Sequence, residues 1–137
     1  MKHKRTIQKA IAILVVILVI GFLPSVASAR GDDRFVSYSA TLTSIENGDL
    51  CVYFRVVARN TMDTIGVSNI NIQWYNGSRW VGEKTYTSTD IPELLKSNSA
   101  SHSDTVTYTP THSGSYRAVV TFYAKDSTGV STKQTTT

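Results

Sequence analysis

Only one cysteine, Cys51, occurs among the 137 residues of the chain. An intramolecular disulfide is therefore excluded, and packing alone must stabilise the fold. Cys51 alternates with residues expected in the core, so we expect its thiol to point outward. Such a thiol could form dimers or respond to redox state. We interpret it instead as a half-covered residue with no function of its own.

Histidines, which most often serve as catalytic bases and metal ligands, are also scarce. Of the three histidines, only His102 and His112 lie beyond the first thirty residues. They flank one predicted strand in Ser-rich sequence, toward its opposite ends, whereas a triad or a shared metal site needs such groups close together. The sequence has no phosphate-cradling glycine loop, no HExxH pattern and no EF-hand pattern. We therefore predict no enzyme activity, no metal site and no cofactor.

Acidic residues are absent from the first 29 positions, which have the pattern of a secretory signal peptide. The basic start comprises Lys2, Lys4, Arg5 and Lys9. An apolar run over 10–23 follows, shorter than the roughly 20 residues of a comfortable membrane span, and Pro24 ends it. Ala27 and Ala29 occupy the small-residue positions before a cleavage site. We predict a signal peptide over 1–29, with a retained anchor as the alternative, and one domain over 30–137, secreted and either extracellular or associated with the envelope.

The part of the chain that follows this segment has no net positive charge. The chain has 14 Lys and Arg and ten Asp and Glu, and four of the basic residues lie in the segment, so the remainder carries ten of each. A neutral domain without a basic stripe gives no reason to predict nucleic-acid binding. No second hydrophobic segment follows, so no membrane span is predicted after cleavage. We expect a monomer or weak self-association.

A helical period of 3.6 residues is nearly absent, whereas Thr and Ser alternate with Val, Ile, Tyr and Phe as in half-buried strands. The predicted strands cover 35–43, 50–58, 65–75, 79–87, 103–109, 117–125 and a short segment after Gly129. Four strands have a predicted inward set. These sets are Val36, Tyr38, Ala40 and Leu42 on the first strand, Leu50, Val52, Phe54 and Val56 on the second, Ile70, Ile72 and Trp74 on the third, and Tyr116, Ala118, Val120 and Phe122 on the sixth. One or two helical turns are expected over 89–98, where Asp90 can cap and Pro92 and Glu93 suit a first turn.

The segment Gly114-Ser115-Tyr116 lies just before the sixth predicted strand. In immunoglobulin-like sandwiches a tyrosine near the start of that strand folds its hydroxyl back onto the upstream backbone, and a core tryptophan lies on the third strand, where this chain has Trp74. Ala118 stands where antibody domains place a cysteine. The chain thus resembles the disulfide-free sandwiches, including fibronectin type III. We predict an all-β, seven-stranded antiparallel sandwich of this type, preceded by the signal-peptide helix.

A second resemblance extends over nearly the whole chain after the signal segment. The segments YNGSRW, SASHSDTVTY and YRAVVTFYAK resemble a family of small secreted proteins of Gram-positive bacteria that is defined as a domain of unknown function. This resemblance implies export and a single sandwich domain, and it implies no activity.

Asn76-Gly77 is a strong hairpin signal. If these two residues form the loop, Tyr75 lies opposite Ser78 and Gln73 opposite Trp80, and both aromatic residues face away from the core. Together with Tyr123 of the sixth predicted strand, Tyr75 and Trp80 form a predicted aromatic face with Arg117 and Lys125 at its edge. The residues of this face are Gln73, Tyr75, Trp80, Lys84, Tyr86 and Tyr123.

Grouped exposed aromatic residues are typical of a protein interface or a sugar-stacking platform. We therefore predict a non-catalytic binding module with an unknown protein or envelope polymer as its partner. The alternatives are a carbohydrate-binding module and a structural or matrix component that self-associates. A bulge that shifts the register would turn part of this face into the core, and tyrosines can also form simple cross-strand pairs.

Overall fold

Strands make up most of the chain that the structure describes, which is residues 33–137 of a computed structural model. They are β1 (Phe35–Ser44), β2 (Leu50–Tyr75), β3 (Trp80–Thr87), β4 (Leu95–Tyr108), β5 (Tyr116–Asp126) and β6 (Gly129–Thr136). All strand pairs are antiparallel. The prediction of an all-β, antiparallel protein is therefore confirmed. The predicted signal-peptide helix and its cleavage point lie outside the described residues.

The predicted number of seven strands is wrong, because the second and third predicted strands are one continuous strand. β2 runs through 26 residues, and its pairing with β4 shifts register between Val57 and Met62. No Gly or Pro interrupts the sequence between these two positions. The strand continues through this register shift, so residues 33–137 form six strands instead of seven.

β2 is the centre of the sheet and has a different pair of neighbours along each half. β1 and β5 follow one another along one edge of β2, whereas β4 and β3 follow one another along the other. β6 extends the sheet beyond β5. The sheet curls into a half-barrel, and the Tyr38 ring of β1 lies 5.2 Å from the Phe122 ring of β5. We call the face that carries the buried side chains the inner face and the opposite one the outer face.

The core follows the alternation that the sequence predicts. On β2, Val52, Phe54 and Val56 have no exposed surface, and Ala118 and Val120 on β5 are also fully buried. One inward assignment is wrong: Val36 is 64% exposed, whereas its neighbour Phe35 is 3% exposed. A bulge between Phe35 and Ser37 inserts Val36 as an unpaired residue and reverses the facing at the start of β1.

The helical segment predicted over 89–98 is a single 3-10 turn, Pro92–Leu94. Pro92 occupies its first turn as predicted, but Asp90 does not cap it; the Asp90 carboxylate accepts hydrogen bonds from Thr87 instead. β4 then begins at Leu95 and so includes eight residues ahead of the predicted strand start at 103. The turn anchors its fully buried Leu94 against β2, where a Cβ on Gly66 would overlap the Leu94 carbonyl oxygen.

Arg34 fastens the beginning of β1 to the turn between β5 and β6. Its Nε lies 3.0 Å from Asp126 Oδ2 in an ion pair, and its other nitrogens donate hydrogen bonds of 2.8 Å to Ser131 and Thr128. Hydrogen bonds donated by Thr128, together with the Arg34 guanidinium, lower the pKa of the Asp126 carboxyl to about 2. These contacts join residues that are more than ninety positions apart in the sequence.

Candidate functional site

The β2–β3 hairpin places the predicted aromatic residues and differs from the expected two-residue turn. Tyr75 pairs with Trp80, so the loop contains four residues, Asn76 to Arg79. The Asn76 side-chain oxygen accepts hydrogen bonds from the backbone N–H groups of Ser78 and Arg79, which stabilises the longer loop. Gly77 has a φ of 98°, which a side chain would disfavour. The predicted strand pairs were wrong by two residues. Because this register shift is even, each side chain stays on the predicted side of the sheet.

Four residues of the outer face form one packed group, which we call the outer-face cluster: Gln73, Tyr75, Trp80 and Arg117. The Tyr75 and Trp80 rings lie 5.2 Å apart. The Arg117 guanidinium lies 4.4 Å from the centre of the Trp80 ring, and Arg117 Nε donates a hydrogen bond of 2.6 Å to the Gln73 side chain. Tyr75 is 39% exposed, and Trp80 is half-buried. The cluster therefore combines accessible aromatic surface with a guanidinium held in place.

Tyr86 and Lys84 do not join this cluster, contrary to the prediction. Gln73 pairs with Gly82, but Ile72 pairs with Lys84, so Glu83 is an extra residue in β3. This bulge reverses the facing of the rest of β3, and Tyr86, opposite the buried Ile70, packs against the core.

The Tyr86 hydroxyl donates a hydrogen bond of 3.3 Å to the Thr107 carbonyl oxygen, and burial raises the pKa of this phenol. Lys84 remains exposed and lies over the Tyr86 ring, with its Nζ 5.3 Å from the ring centre. Both residues therefore support the core side of β3 and contribute nothing to the outer-face cluster.

Tyr123 faces outward as predicted but lies at the other end of β5. It pairs with Gly66, whereas Arg117 pairs with Gln73. Tyr123 lies six positions beyond Arg117 along β5, which corresponds to about 20 Å. Lys125 lies further along still. The predicted aromatic face is therefore reduced to the outer-face cluster.

On the inner face, Trp74 and Tyr116 pair across β2 and β5. The Tyr116 hydroxyl folds back onto the upstream backbone: it accepts a hydrogen bond of 3.0 Å from the His112 N–H and lies 3.1 Å from the His112 carbonyl oxygen. Trp74 Nε1 donates to the Ser113 carbonyl oxygen at 3.0 Å. Gly114, with a φ of 120°, lets the backbone pass close to this nitrogen.

Glu83, which the sequence did not single out, lies at the centre of a polar network at this end of the sheet. Its side chain is 7% exposed. It accepts hydrogen bonds from the Tyr108 hydroxyl at 2.6 Å, the Thr111 hydroxyl at 3.0 Å and the Tyr116 hydroxyl at 3.0 Å, and it pairs with His112 Nδ1. We call these five residues the Glu83 cluster. The one local signal for the bulge that directs Glu83 inward is the preceding Gly82, since an isolated glycine inside a strand often marks a bulge.

Burial alone would raise the pKa of the Glu83 carboxyl, but the hydrogen bonds from Tyr108, His112, Thr111 and Tyr116 outweigh it and hold that pKa at about 2. Burial and the adjacent carboxylate raise the pKa of Tyr108 to about 12 and also raise the pKa of Tyr116. The carboxylate is thus ionised and its oxygens are occupied by protein donors. This arrangement ties β3 to β4 and β5, and it is suited to stability more than to chemistry.

The two histidines have separate surroundings. His112 stacks on Trp74, with ring centres 3.9 Å apart and 12° between the ring planes. His102 Nε2 donates to the Glu93 carbonyl oxygen at 2.7 Å, and its ring meets the edge of Phe54. Among residues 33–137, no three potential metal ligands are grouped closely enough to hold an ion.

No helix within the described part of the chain has the length and apolar character needed to cross a membrane. Comparison of the chain with protein-family models, with curated proteins and with solved structures found no match.

Proposed function

We propose that this protein is a secreted, non-catalytic binding module that acts at or outside the cell envelope through the outer-face cluster. The observation that carries the proposal is the packing of the exposed Tyr75 with the half-buried Trp80 and Arg117 into one group on the outer face of the sheet. Tryptophan, tyrosine and arginine are the residues most enriched among those that dominate the energy of protein interfaces. A protein ligand is therefore the leading partner, and an envelope polymer is the second.

The cluster is preorganised, which supports a binding role. Gln73 holds the Arg117 guanidinium, and the guanidinium in turn covers the Trp80 ring. Ordering a flexible arginine on binding costs about 0.5–1.5 kcal/mol, so an arginine that is already ordered loses less of the gross interaction energy. The contacts of Trp80 with Arg117 and Tyr75 leave less of the indole ring for a sugar to stack on, which favours a protein ligand over a carbohydrate.

The proposal also includes the class of β-sandwich to which the fold belongs and the export of the protein from the cell. The Tyr116 hydroxyl on the upstream backbone, with Gly114 two residues before it, supports a sandwich of the immunoglobulin or fibronectin type III class. The basic and apolar segment over 1–29 supports export. Membership in the family of small secreted Gram-positive proteins would agree with both features.

The test is a pull-down from cell-wall and culture-supernatant fractions with the purified protein and two matched variants. The first variant carries Tyr75→Ala and Trp80→Ala. The second carries Tyr123→Ala, which removes an outward-facing aromatic side chain about 20 Å away on β5. We expect one partner to be retained by the parent and by the Tyr123 variant. The double variant should bind it at least thirtyfold more weakly, as expected for loss of about 2 kcal/mol at an interface anchor.

Thermal unfolding of each variant shows that it is folded before it is compared. Equal recovery of the partner by all three proteins would refute the proposal. Binding to purified glycans that is lost in the double variant would indicate a carbohydrate-binding module instead. Concentration-dependent assembly without a partner would indicate a structural or matrix component.

A further inference from the structure

A second candidate site lies on the paired segments of β2 and β4. It shares no residue with the outer-face cluster, which lies on β2, β3 and β5. A cavity of about 410 Å³ opens there, lined by Tyr53, Arg55, Lys96, Ser101, His102 and Ser103. We call it the β2–β4 groove. Its volume falls within the range of about 300–1,000 Å³ that is typical of small-molecule sites.

Strand pairing determines which side chains line the groove. Arg55 pairs with Ser103, and Val57 pairs with Ser101, so the two serines and Arg55 share the outer face. Lys96, at the beginning of β4 and beyond the register shift between Val57 and Met62, also lines the cavity. The groove therefore lies along the stretch over which β4 pairs with the first half of β2.

The charges in the groove have one sign. Arg55 and Lys96 are exposed cations, and no lining residue is acidic. Within residues 33–137, neither cation has an acidic side chain at ion-pair distance. A cleft lined by charges of one sign concentrates the field and attracts ions of the opposite sign.

The hydroxyl and aromatic groups of the groove suit a ligand that has an anionic group attached to a carbon skeleton. The Ser101 and Ser103 hydroxyls can donate hydrogen bonds to oxygens beside the guanidinium and the ammonium. Tyr53, which is 41% exposed, adds an aromatic surface against which a carbon skeleton can pack. The His102 side chain lies on the inner face, where the residue pairs with Val56 and its ring contacts Phe54, and we assign it no contact with the bound group.

We propose that the β2–β4 groove binds the phosphate group of a phosphate ester. Arg55 and Lys96 neutralise its charge, Ser101 and Ser103 donate to its oxygens, and Tyr53 packs against the attached carbon chain. The phosphate group is the shared chemistry of two sources, a small phosphomonoester and a polymer of phosphodiesters. This site is independent of the outer-face cluster, so either proposal can fail without the other.

The test is a titration of backbone amide NMR signals in phosphate-free buffer at low ionic strength. The probes are inorganic phosphate, glycerol 3-phosphate and a short glycerol-phosphate oligomer, with an oligomer of galacturonic acid as the carboxylate comparison. We expect saturable shifts at residues 53–55 and 101–103, tighter binding of the two esters than of inorganic phosphate, and weakening of binding as salt rises. A preference for the oligomer would identify the polymer as the source, and a preference for glycerol 3-phosphate the small ester.

Variants localise the site. Arg55→Gln and Lys96→Gln should each weaken binding of the preferred ester about tenfold, as expected for one lost charge-assisted hydrogen bond. The matched controls are Arg79→Gln and Lys125→Gln, which remove exposed cations outside the groove. They should change the affinity less than twofold.

Three results would overturn the proposal. The first is the absence of saturable shifts with any phosphate probe, and the second is an equal loss of affinity in the groove and control variants. The third is tighter binding of the galacturonic acid oligomer than of both esters, because it would assign the groove to carboxylates. All four substitutions are at exposed positions, so we expect each variant to fold, and unchanged spectra away from the site check this.

Discussion

Replacing Glu83 by Gln is the sharpest test of the structural account, because one side chain joins three strands. The change keeps the size of the side chain and removes its charge. The pKa of Glu83 lies near 2 instead of its ordinary 4.5, a difference equivalent to about 3 kcal/mol of stabilisation of the ionised form. The network lies at the rim of the sheet, where His112 is 48% exposed, so we reduce this to about 2 kcal/mol for screening by water.

The sign of the pH dependence follows from the direction of the shift. Because the folded pKa of Glu83 is below its unfolded value, the stabilisation is complete above about pH 4.5 and is lost as the pH falls toward 2. The parent should therefore exceed Glu83→Gln in unfolding free energy by about 2 kcal/mol at pH 7. That corresponds to a difference of about 8–16 °C in Tm for a domain of this size. The difference should shrink steadily below pH 4.5.

The assay is thermal and urea unfolding of the parent and Glu83→Gln at several pH values between 7 and 2.5. Glu46→Gln is the matched control, since Glu46 is exposed in the turn between β1 and β2, and it should unfold like the parent at every pH. A difference below about 0.5 kcal/mol at pH 7, the usual range for surface substitutions, would contradict the stabilising role of the Glu83 carboxylate. A difference that does not change with pH would contradict it as well.

Three other predictions test the fold, the site and the location. Gly66→Ala should lower the unfolding free energy by more than about 2 kcal/mol, since its methyl group would overlap the Leu94 carbonyl oxygen; near-parental urea unfolding would contradict the close approach. Trp80→Ala should change stability by less than about 1 kcal/mol, whereas Phe54→Ala, in the core, should lower it by about 3–5 kcal/mol. If the two were equally destabilising, Trp80 would be a core residue. Mass spectrometry of exported protein should find Arg30 as its first residue, and an intact first segment would indicate a retained anchor.

The candidate site was predictable in part, for a reason that two elements illustrate. The facing of Trp80 and Tyr75 was correct although their pairing was wrong, because a loop of four residues instead of two shifts the register by an even number. The facing of Tyr86 was wrong because the single extra residue at Glu83 shifts it by an odd number. The alternation of polar and apolar residues predicts which residues share a face within a regular strand. It does not predict where a bulge interrupts that strand.

The sequence alone predicted the strand composition, the core-facing residues of β5, those at the two ends of β2, and the position of the hairpin turn, but it did not single out the buried Met62, Ile65 and Val67 of β2. The predicted features depend on side chains two to four residues apart, whose chemistry is visible in any short window. The continuation of β2 past residue 58 and the inward direction of Glu83 depend on contacts between strands that are distant in the chain, beginning with those of Glu83. Its hydroxyl donors are 25, 28 and 33 residues away in sequence. A buried carboxylate is stable only where such distant donors converge on it, so its place depends on how the whole sheet curls.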